Sequence, residues 1–508
     1  MLRFFKRENC ERLDQRMQAY GIVRFLTSHT ALAFFYGVFL FLYELRYLRQ
    51  AVPAIHPVLI AWAGALAVYD IVVRRIWEKL PNRSFLLLFC LAAGITAITT
   101  IETGAVSNIK GWIFVVLPLV AFYPLCLLEP EEKRKKALIK AMLGAAIVIF
   151  AASALAVVMY LQRFSQEVAY MGEIWTLGIR HYIPGDETTA VLLYGIYTDT
   201  NHAAAYAVAF AAYSVVLFLS CLKGLFHRHW QNVLGAVFAG LNFFVQVCYF
   251  PLANSRGGWL CLLAAVVLCT FAWGYRKIRV SGNGRRIAAA VLSAVLVTGT
   301  LYGSLIGLRS GLSDLSMMIT YGISSGGNTS ATTPATGPSS TGPSSTVPPT
   351  IPGDSFDKTD NGSGSGRLNI WKEGLGLFAK RPIFGTGPGN NAYYADKYNV
   401  GILLAEGDAL HNSFLDLLVD YGIVGFISLT GFWGACLWAV LRAIWSRGKT
   451  LGMDFYLNVF TVLFVAGISV FLSCTFINTT AMYYLMLLPC SYLMAVCGIT
   501  QRRKNERE

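Results

Sequence analysis

Twelve stretches of about 20 mostly apolar residues run through this chain, and each is long enough to cross a hydrocarbon core about 30 Å thick. They fall near 25–44, 53–73, 84–104, 111–128, 137–160, 202–222, 233–252, 257–275, 287–307, 413–441, 452–474 and 478–499. In lipid every backbone N–H and C=O needs a partner inside its own segment, which a helix supplies. The expected fold is therefore all-α, a polytopic membrane protein of about twelve transmembrane helices. Composition agrees: 55% of the 508 residues are apolar and 14% charged, against roughly 45–50% and 25% in soluble domains.

An even number of spans puts both termini on one side, and the bias of Lys and Arg toward cytoplasmic loops tests the count. Placing the N-terminus in the cytoplasm assigns 29 of the 42 Lys and Arg to inner segments, although the outer segments are longer. Both termini are thus expected in the cytoplasm, with the chain in the cytoplasmic (inner or plasma) membrane and its large loop outside. The net charge of +14 then reports topology and membrane lipids, with no nucleic-acid partner, because the 308–411 loop holds 7 basic against 8 acidic residues. The first apolar segment follows six basic and three acidic residues and lacks a cleavage pattern, so it is expected to be retained. None of the eleven Cys lies in the 308–411 loop, and no disulfide framework or Cys-x-x-Cys site is implied.

The expected organisation is helices one to nine over 1–307, an extracytoplasmic loop over 308–411, helices ten to twelve over 412–500 and a cytoplasmic tail over 501–508. Within the loop, 323–350 consists of Gly, Ser, Thr, Pro, Ala and Asn apart from Ile323 and Val347. Such a segment cannot build a core, so 323–366 reads as a tether. Order is expected over 367–411: Leu368, Trp371, Leu375 and Phe378 recur at helical spacing until Pro382 stops the pattern. The following Phe384-Gly-Thr-Gly-Pro-Gly-Asn-Asn391 reads as a glycine-rich turn without dinucleotide-binding spacing. A second outer segment, 161–201, is polar and aromatic.

Three spans that enter from the outer face open with polar residues: Asn201-His202, Ser255-Arg256-Gly257-Gly258 and His411-Asn412-Ser413. A helix N-terminus offers unpaired N–H groups and about half a positive charge, which suits an anion. With Arg256 and Arg367 these would form a phosphate or diphosphate site. Ser255 and Asn412 are also good N-cap types whatever else they do. Asp416 and Asp420 lie within the tenth span, where acids are costly and ask for a catalytic or pairing role. No Asp-x-Asp pair occurs, so no metal ligand and no cofactor is expected.

The string from His411 through Asn412, Phe414 and Leu415 to Gly422-Ile-Val-Gly425 resembles the O-antigen ligase and polymerase family. Arg367 with Trp371, Pro382-Ile-Phe-Gly-Thr-Gly-Pro-Gly-Asn390, Asn254-Ser255-Arg256-Gly257 and Thr200-Asn201-His202-Ala203 resemble further motifs of that family, in its order. The resemblance covers roughly 195–430; the Ser/Thr/Pro-rich insertion departs from it. It implies glycosyl transfer from a polyprenyl-diphosphate-linked glycan to a hydroxyl of a glycan, lipid or protein acceptor at the outer leaflet. His411 would be the catalytic base, and Arg256, Arg367, Asn412, Ser255, Asn201 and His202 would bind substrate. Polymerase and ligase are not separated by these motifs. The alternative from another class, a polysaccharide flippase or other transporter, should place polar groups near the membrane midplane and often has two related halves; no such repeat is evident here.

Overall fold

The computed structural model describes residues 7–170, 173–181, 191–225, 230–321, 365–472 and 480–505. Its helices are α1 (Arg7–Gln18), α2 (Gly21–Leu26), α3 (His29–Tyr43), α4 (His56–Val72), α5 (Arg83–Thr99), α6 (Ala105–Ala121), α7 (Glu131–Leu161), α8 (Thr200–Leu225), α9 (Trp230–Ala253), α10 (Arg256–Lys277), α11 (Asn283–Tyr321), α12 (Ser365–Lys380), α13 (Asn391–Tyr398), α14 (Ile402–Ala405), α15 (Ser413–Arg447), α16 (Met453–Ile468) and α17 (Ala481–Asn505). Each of the twelve apolar windows overlaps one of these helices. Among the described residues, eight helices are long and apolar enough to cross a membrane, and α3, α5, α6 and α16 are shorter apolar helices.

Local chemistry sets many of the ends. Ser28 caps α3 by accepting from Ala31 N at 3.2 Å. Glu131 and Glu132 open α7 and Arg276 and Lys277 close α10, each charge opposing the local end of the helix dipole. Small residues let the helices approach closely, as is usual where lipid supplies no hydrophobic drive between them. Ala203, Ala204, Ala205, Ala207 and Ala209 of α8 are buried. A Cβ on Gly37 would sit 2.6 Å from the Tyr484 hydroxyl, and one on Gly144 would sit 2.6 Å from Val38 Cγ2, so α3 packs directly on α17 and α7.

Two features depart from the sequence reading. α11 does not stop near 307 but continues as a helix of 39 residues to Tyr321, about 58 Å at 1.5 Å per residue. The segment 161–201, expected from the sequence to lie outside, carries an antiparallel sheet in the order β1 (Ser165–Tyr170), β2 (Glu173–His181), β3 (Val191–Gly195). Among the described residues the fold is thus helical, as expected, with one small sheet added. Arg46, just beyond α3, ties the sheet down: its guanidinium donates to the Thr176 carbonyl and lies 4.7 Å from the Trp175 ring centre. The expected helix over 367–381 is α12, whereas the tether 323–366 falls almost entirely outside the described residues.

Candidate active site

The ordered part of the large loop is built onto a break in α15. Gly422 interrupts that helix with φ 63° and ψ −170°, a left-handed conformation that favours glycine. The break leaves the carbonyls of Val419 and Asp420 without helical partners, and the glycine-rich turn supplies them: Thr386 N donates to Val419 O at 3.0 Å and Gly387 N to Asp420 O at 2.8 Å. Beyond the break, Ile423 N donates to Pro382 O at 2.8 Å. No larger residue fits at this seam. A Cβ on Gly385 would lie 2.5 Å from the Asp420 carbonyl, and one on Gly422 would lie 2.3 Å from Ile383 O. The Pro-Ile-Phe-Gly-Thr-Gly motif and the Gly-x-x-Gly motif are therefore two halves of one backbone junction.

The same turn is held from the other side by α5 and α6. Thr96 donates to Phe384 O at 2.6 Å and Asn390 Nδ2 to Asn108 Oδ1 at 2.9 Å. Arg381 donates from Nε to Gly385 O at 2.8 Å. Above the junction, Leu377, Tyr394, Leu404, Leu410 and Val419 form a small core separate from the membrane core. Trp371 of α12 donates its indole N–H to Leu410 O at 2.9 Å, which fixes the residue immediately before His411.

His411 itself has φ 51°, so it sits in a sparsely used backbone region that the packed neighbours on both sides impose. Asn412 then caps α15, accepting from Phe414 N and Leu415 N, each at 3.1 Å. Ser413 N donates to Ser469 O at 2.8 Å and its hydroxyl to Leu472 O, which seats the start of α15 against the end of α16.

The other motifs converge on this point. Asp199 accepts from Asn201 N and His202 N at 2.6 and 3.0 Å, capping α8. Ser255 caps α10 through Gly258 N at 3.1 Å and donates to Asn201 Oδ1 at 2.7 Å, so the two helix openings share one hydrogen bond. Arg256 follows in the exposed first turn of α10. His411 is half-buried and its basicity is lowered, first by burial and then by the Arg367 cation and by His202; Asp199 and Asp408 act in the opposite sense. Arg367, His202 and Asp199 thus lie within electrostatic reach of His411, and Asn201 and Ser255 are joined to His202 and Asp199 through α8.

Sequence reading missed several partners. Glu44, at the end of α3, places Oε2 3.8 Å from His202 Nδ1. Arg309, on the part of α11 beyond the expected span, donates to Asn254 Oδ1 at 3.0 Å. Asp416 and Asp420 are buried, at 6% and 3% exposure, behind the glycine turn. Buried acids there suit a structural role in the junction. Within the helices, Ser153, Gln246, Asn242 and Ser214 form a neutral hydrogen-bonded chain with steps of 2.8–3.0 Å. From Ser153 the chain continues to the Tyr197 hydroxyl at 2.8 Å.

No curated protein gives a significant match to the chain. Residues 241–430 match the family described as O-Antigen ligase, and they span Asn254–Arg256, Arg367, the glycine turn, His411 and the Gly422 break; over that stretch the chain is similar to the O-antigen ligase family.

Proposed function

We propose that the chain transfers a glycan from a polyprenyl diphosphate to an acceptor hydroxyl at the outer leaflet of the cytoplasmic membrane, as an O-antigen or surface-polysaccharide ligase or polymerase. The observation that carries the reading is the convergence of His411, Arg367 and His202 with the capped openings of α8 and α10. His411 Nδ1 or Nε2 takes the acceptor proton, the acceptor oxygen attacks the anomeric carbon, and the bond to the diphosphate oxygen breaks with its electron pair. Arg256 and Arg367 meet the charge that develops on the departing diphosphate, as preorganised cations do in a partly dry site. A histidine kept neutral by burial and a neighbouring Arg is suited to act as the base.

The donor is lipid-linked, the reaction needs no metal, and the anomeric carbon inverts. Twelve spans with both termini in the cytoplasm put this cluster outside. An apolar cavity of about 390 Å³, lined in part by Ala207, Val208, Phe250, Leu262 and Leu305, begins one to two helical turns from Asn201, Asn254, Ser255 and Arg309, and it suits the apolar part of such a donor.

The test is turnover of purified protein with a lipid-linked glycan and acceptor. His411→Ala should lower transfer by about 10²–10⁴-fold while donor binding and membrane accumulation persist. Near-normal product from this variant sinks the base assignment.

A further inference from the structure

Beyond its apolar window, which ends near 307, α11 continues to Tyr321. The extra turns are anchored on the end of α7. Ser316, buried at 1% exposure, donates to Tyr160 O at 3.0 Å, and Arg163 reaches Met317 Sδ at 3.0 Å. Arg309 stands on this anchored stretch. Leu301, Leu305 and Arg309 are four residues apart and share one face of the helix, and Leu301 and Leu305 line the apolar cavity of about 390 Å³. Arg309 therefore comes next along that wall, about 6 Å beyond Leu305 at 1.5 Å per residue. On α9 the cavity residues Gln246 and Phe250 lead in the same steps of four to Asn254.

The two walls meet at that end of the cavity, where Arg309 Nη1 donates to Asn254 Oδ1 at 3.0 Å. Asn254 takes φ 51°, a left-handed conformation that Asn tolerates better than most residues. A guanidinium has five N–H donors; Asn254 takes one, and among the described residues no carboxylate pairs with Arg309. The side chain is half-buried. A fork-shaped cation fixed at the end of an apolar cavity matches an amphiphile with an apolar chain and a phosphate. The same end adjoins the candidate site: Asn254 precedes Ser255, which donates to Asn201 Oδ1 at 2.7 Å, and Arg256 follows. A diphosphate has a second phosphate to place there, which the headgroup of an ordinary phospholipid lacks.

We propose that Arg309, held by Asn254, binds the lipid-proximal phosphate of the prenyl diphosphate donor, with the first part of the prenyl chain in the cavity. Arg256 and Arg367 then face the distal phosphate, which carries the glycan. The inference rests on the reaction proposed above and divides its three arginines by task. Charge develops on the distal phosphate as its bond to the anomeric carbon breaks. The proximal phosphate bears its charge before, during and after transfer, and no bond to it forms or breaks. Arg309 thus holds the donor and the departing diphosphate alike, which is binding and not acceleration.

The test gives the full-length protein farnesyl monophosphate, one phosphate on a prenyl chain, and farnesol, the chain alone. Arg309→Gln should weaken farnesyl monophosphate binding by about 10-fold, the lower range for losing a hydrogen bond to a charged group, and leave farnesol binding unchanged. Arg309→Lys should keep part of the affinity, because an ammonium retains the charge but not the fork that joins Asn254 to the phosphate. Asn254→Asp keeps the size and the contact and cancels the cation, so it should weaken binding as Arg309→Gln does. In glycan transfer, Arg309→Gln should raise the donor KM with kcat little changed, the pattern of lost uniform binding.

Wild-type farnesyl monophosphate binding by Arg309→Gln overturns the inference. So does an equal loss of farnesol binding, which would make Arg309 a structural staple of the cavity, and so does a loss in kcat with KM unchanged. Phosphatidylglycerol that displaces farnesyl monophosphate as well as unlabelled farnesyl monophosphate does would make this a phospholipid site and also overturn it. If His411→Ala abolishes transfer while Arg309→Gln is inert, only this inference falls. If Arg309→Gln weakens farnesyl monophosphate selectively but wild-type protein transfers no glycan, the phosphate site stands and the proposed reaction falls.

Discussion

Helix α3 carries an ionisable pair at each end, and the two pairs are built to different plans. At its start, His29 Nδ1 lies 2.6 Å from Ala121 O and Nε2 lies 2.7 Å from Asp70 Oδ2. A carbonyl only accepts, so Nδ1 carries a proton. Asp70 also accepts from Arg74 at 3.0 Å; Arg74 lies 3.5 Å from Asp14, and Asp14 accepts from Tyr69 at 2.7 Å. Asp70 is fully buried and His29 nearly so. At the end of α3, Glu44 and His202 lie 3.8 Å apart and stay partly exposed. The first cluster is buried and closed by its own partners; the second stays open. Burial and closure mark scaffold, while partial exposure marks a place that a ligand can reach.

The sharpest way to break this contrast is to remove a charge from each cluster and compare stability. Taking one partner from a buried ion pair strands the other and costs about 3–5 kcal/mol, whereas an exposed pair contributes about 0–1 kcal/mol. Asp70→Ala should therefore lower the detergent melting temperature strongly, or prevent accumulation, with the milder Asp70→Asn in between. Glu44→Gln should melt close to wild type. Equal melting losses from Asp70→Asn and Glu44→Gln would erase the distinction between scaffold and site.

The seam beneath the outer cluster gives a smaller effect. Gly422→Ala would force a side chain into φ 63° and against Ile383 O, a strain of about 1–3 kcal/mol. It should loosen 382–391 and be read as faster protease nicking of that segment, with α3 and the His29–Asp70 end unaffected. Unchanged nicking would mean that α5 and α6 hold the turn by themselves.

These contacts show what was legible in the sequence. The positions of the twelve apolar helices were readable because a helix in lipid must be apolar for about 20 residues, and Ser255 and Asn412 were readable as caps because their side chains act within three residues. The meeting of Gly385 with Gly422 was not: each glycine was visible, but their pairing spans 37 positions and depends on how α15 breaks. Glu44 is the last residue of the 25–44 window, a span end where an acid is ordinary and no local pattern singles it out. Asp70 did have a signal, an acid inside the 53–73 window, and acids there default to a paired or functional role. The sheet had one too, in the Val, Ile, Trp and Thr of 168–179, outweighed by the helical character of the rest of the chain.

The subtlest expected effect sharpens the outer half of the comparison, because it reads the charges around His411 without removing that residue. Burial and Arg367 hold the His411 imidazole below its ordinary value, which is about 6.5. A base works in its neutral form, so transfer should fall as pH drops through that lowered value, and the acid limb of kcat/KM should lie below about 6.5. Arg367→Gln removes a cation that opposes protonation; protonation becomes easier, and the acid limb should move to higher pH. Asp408→Asn removes an anion that favours protonation, so its limb should move to lower pH. Asp408 is exposed and ranks behind Arg367 among the influences on His411, so its shift should be the smaller and should shrink further in salt. The height of each profile will also change, at least for Arg367→Gln, but the limb's position is read independently of height. Two limbs that move in the same direction, or neither moving, would show that a group other than His411 sets the acid side of the profile.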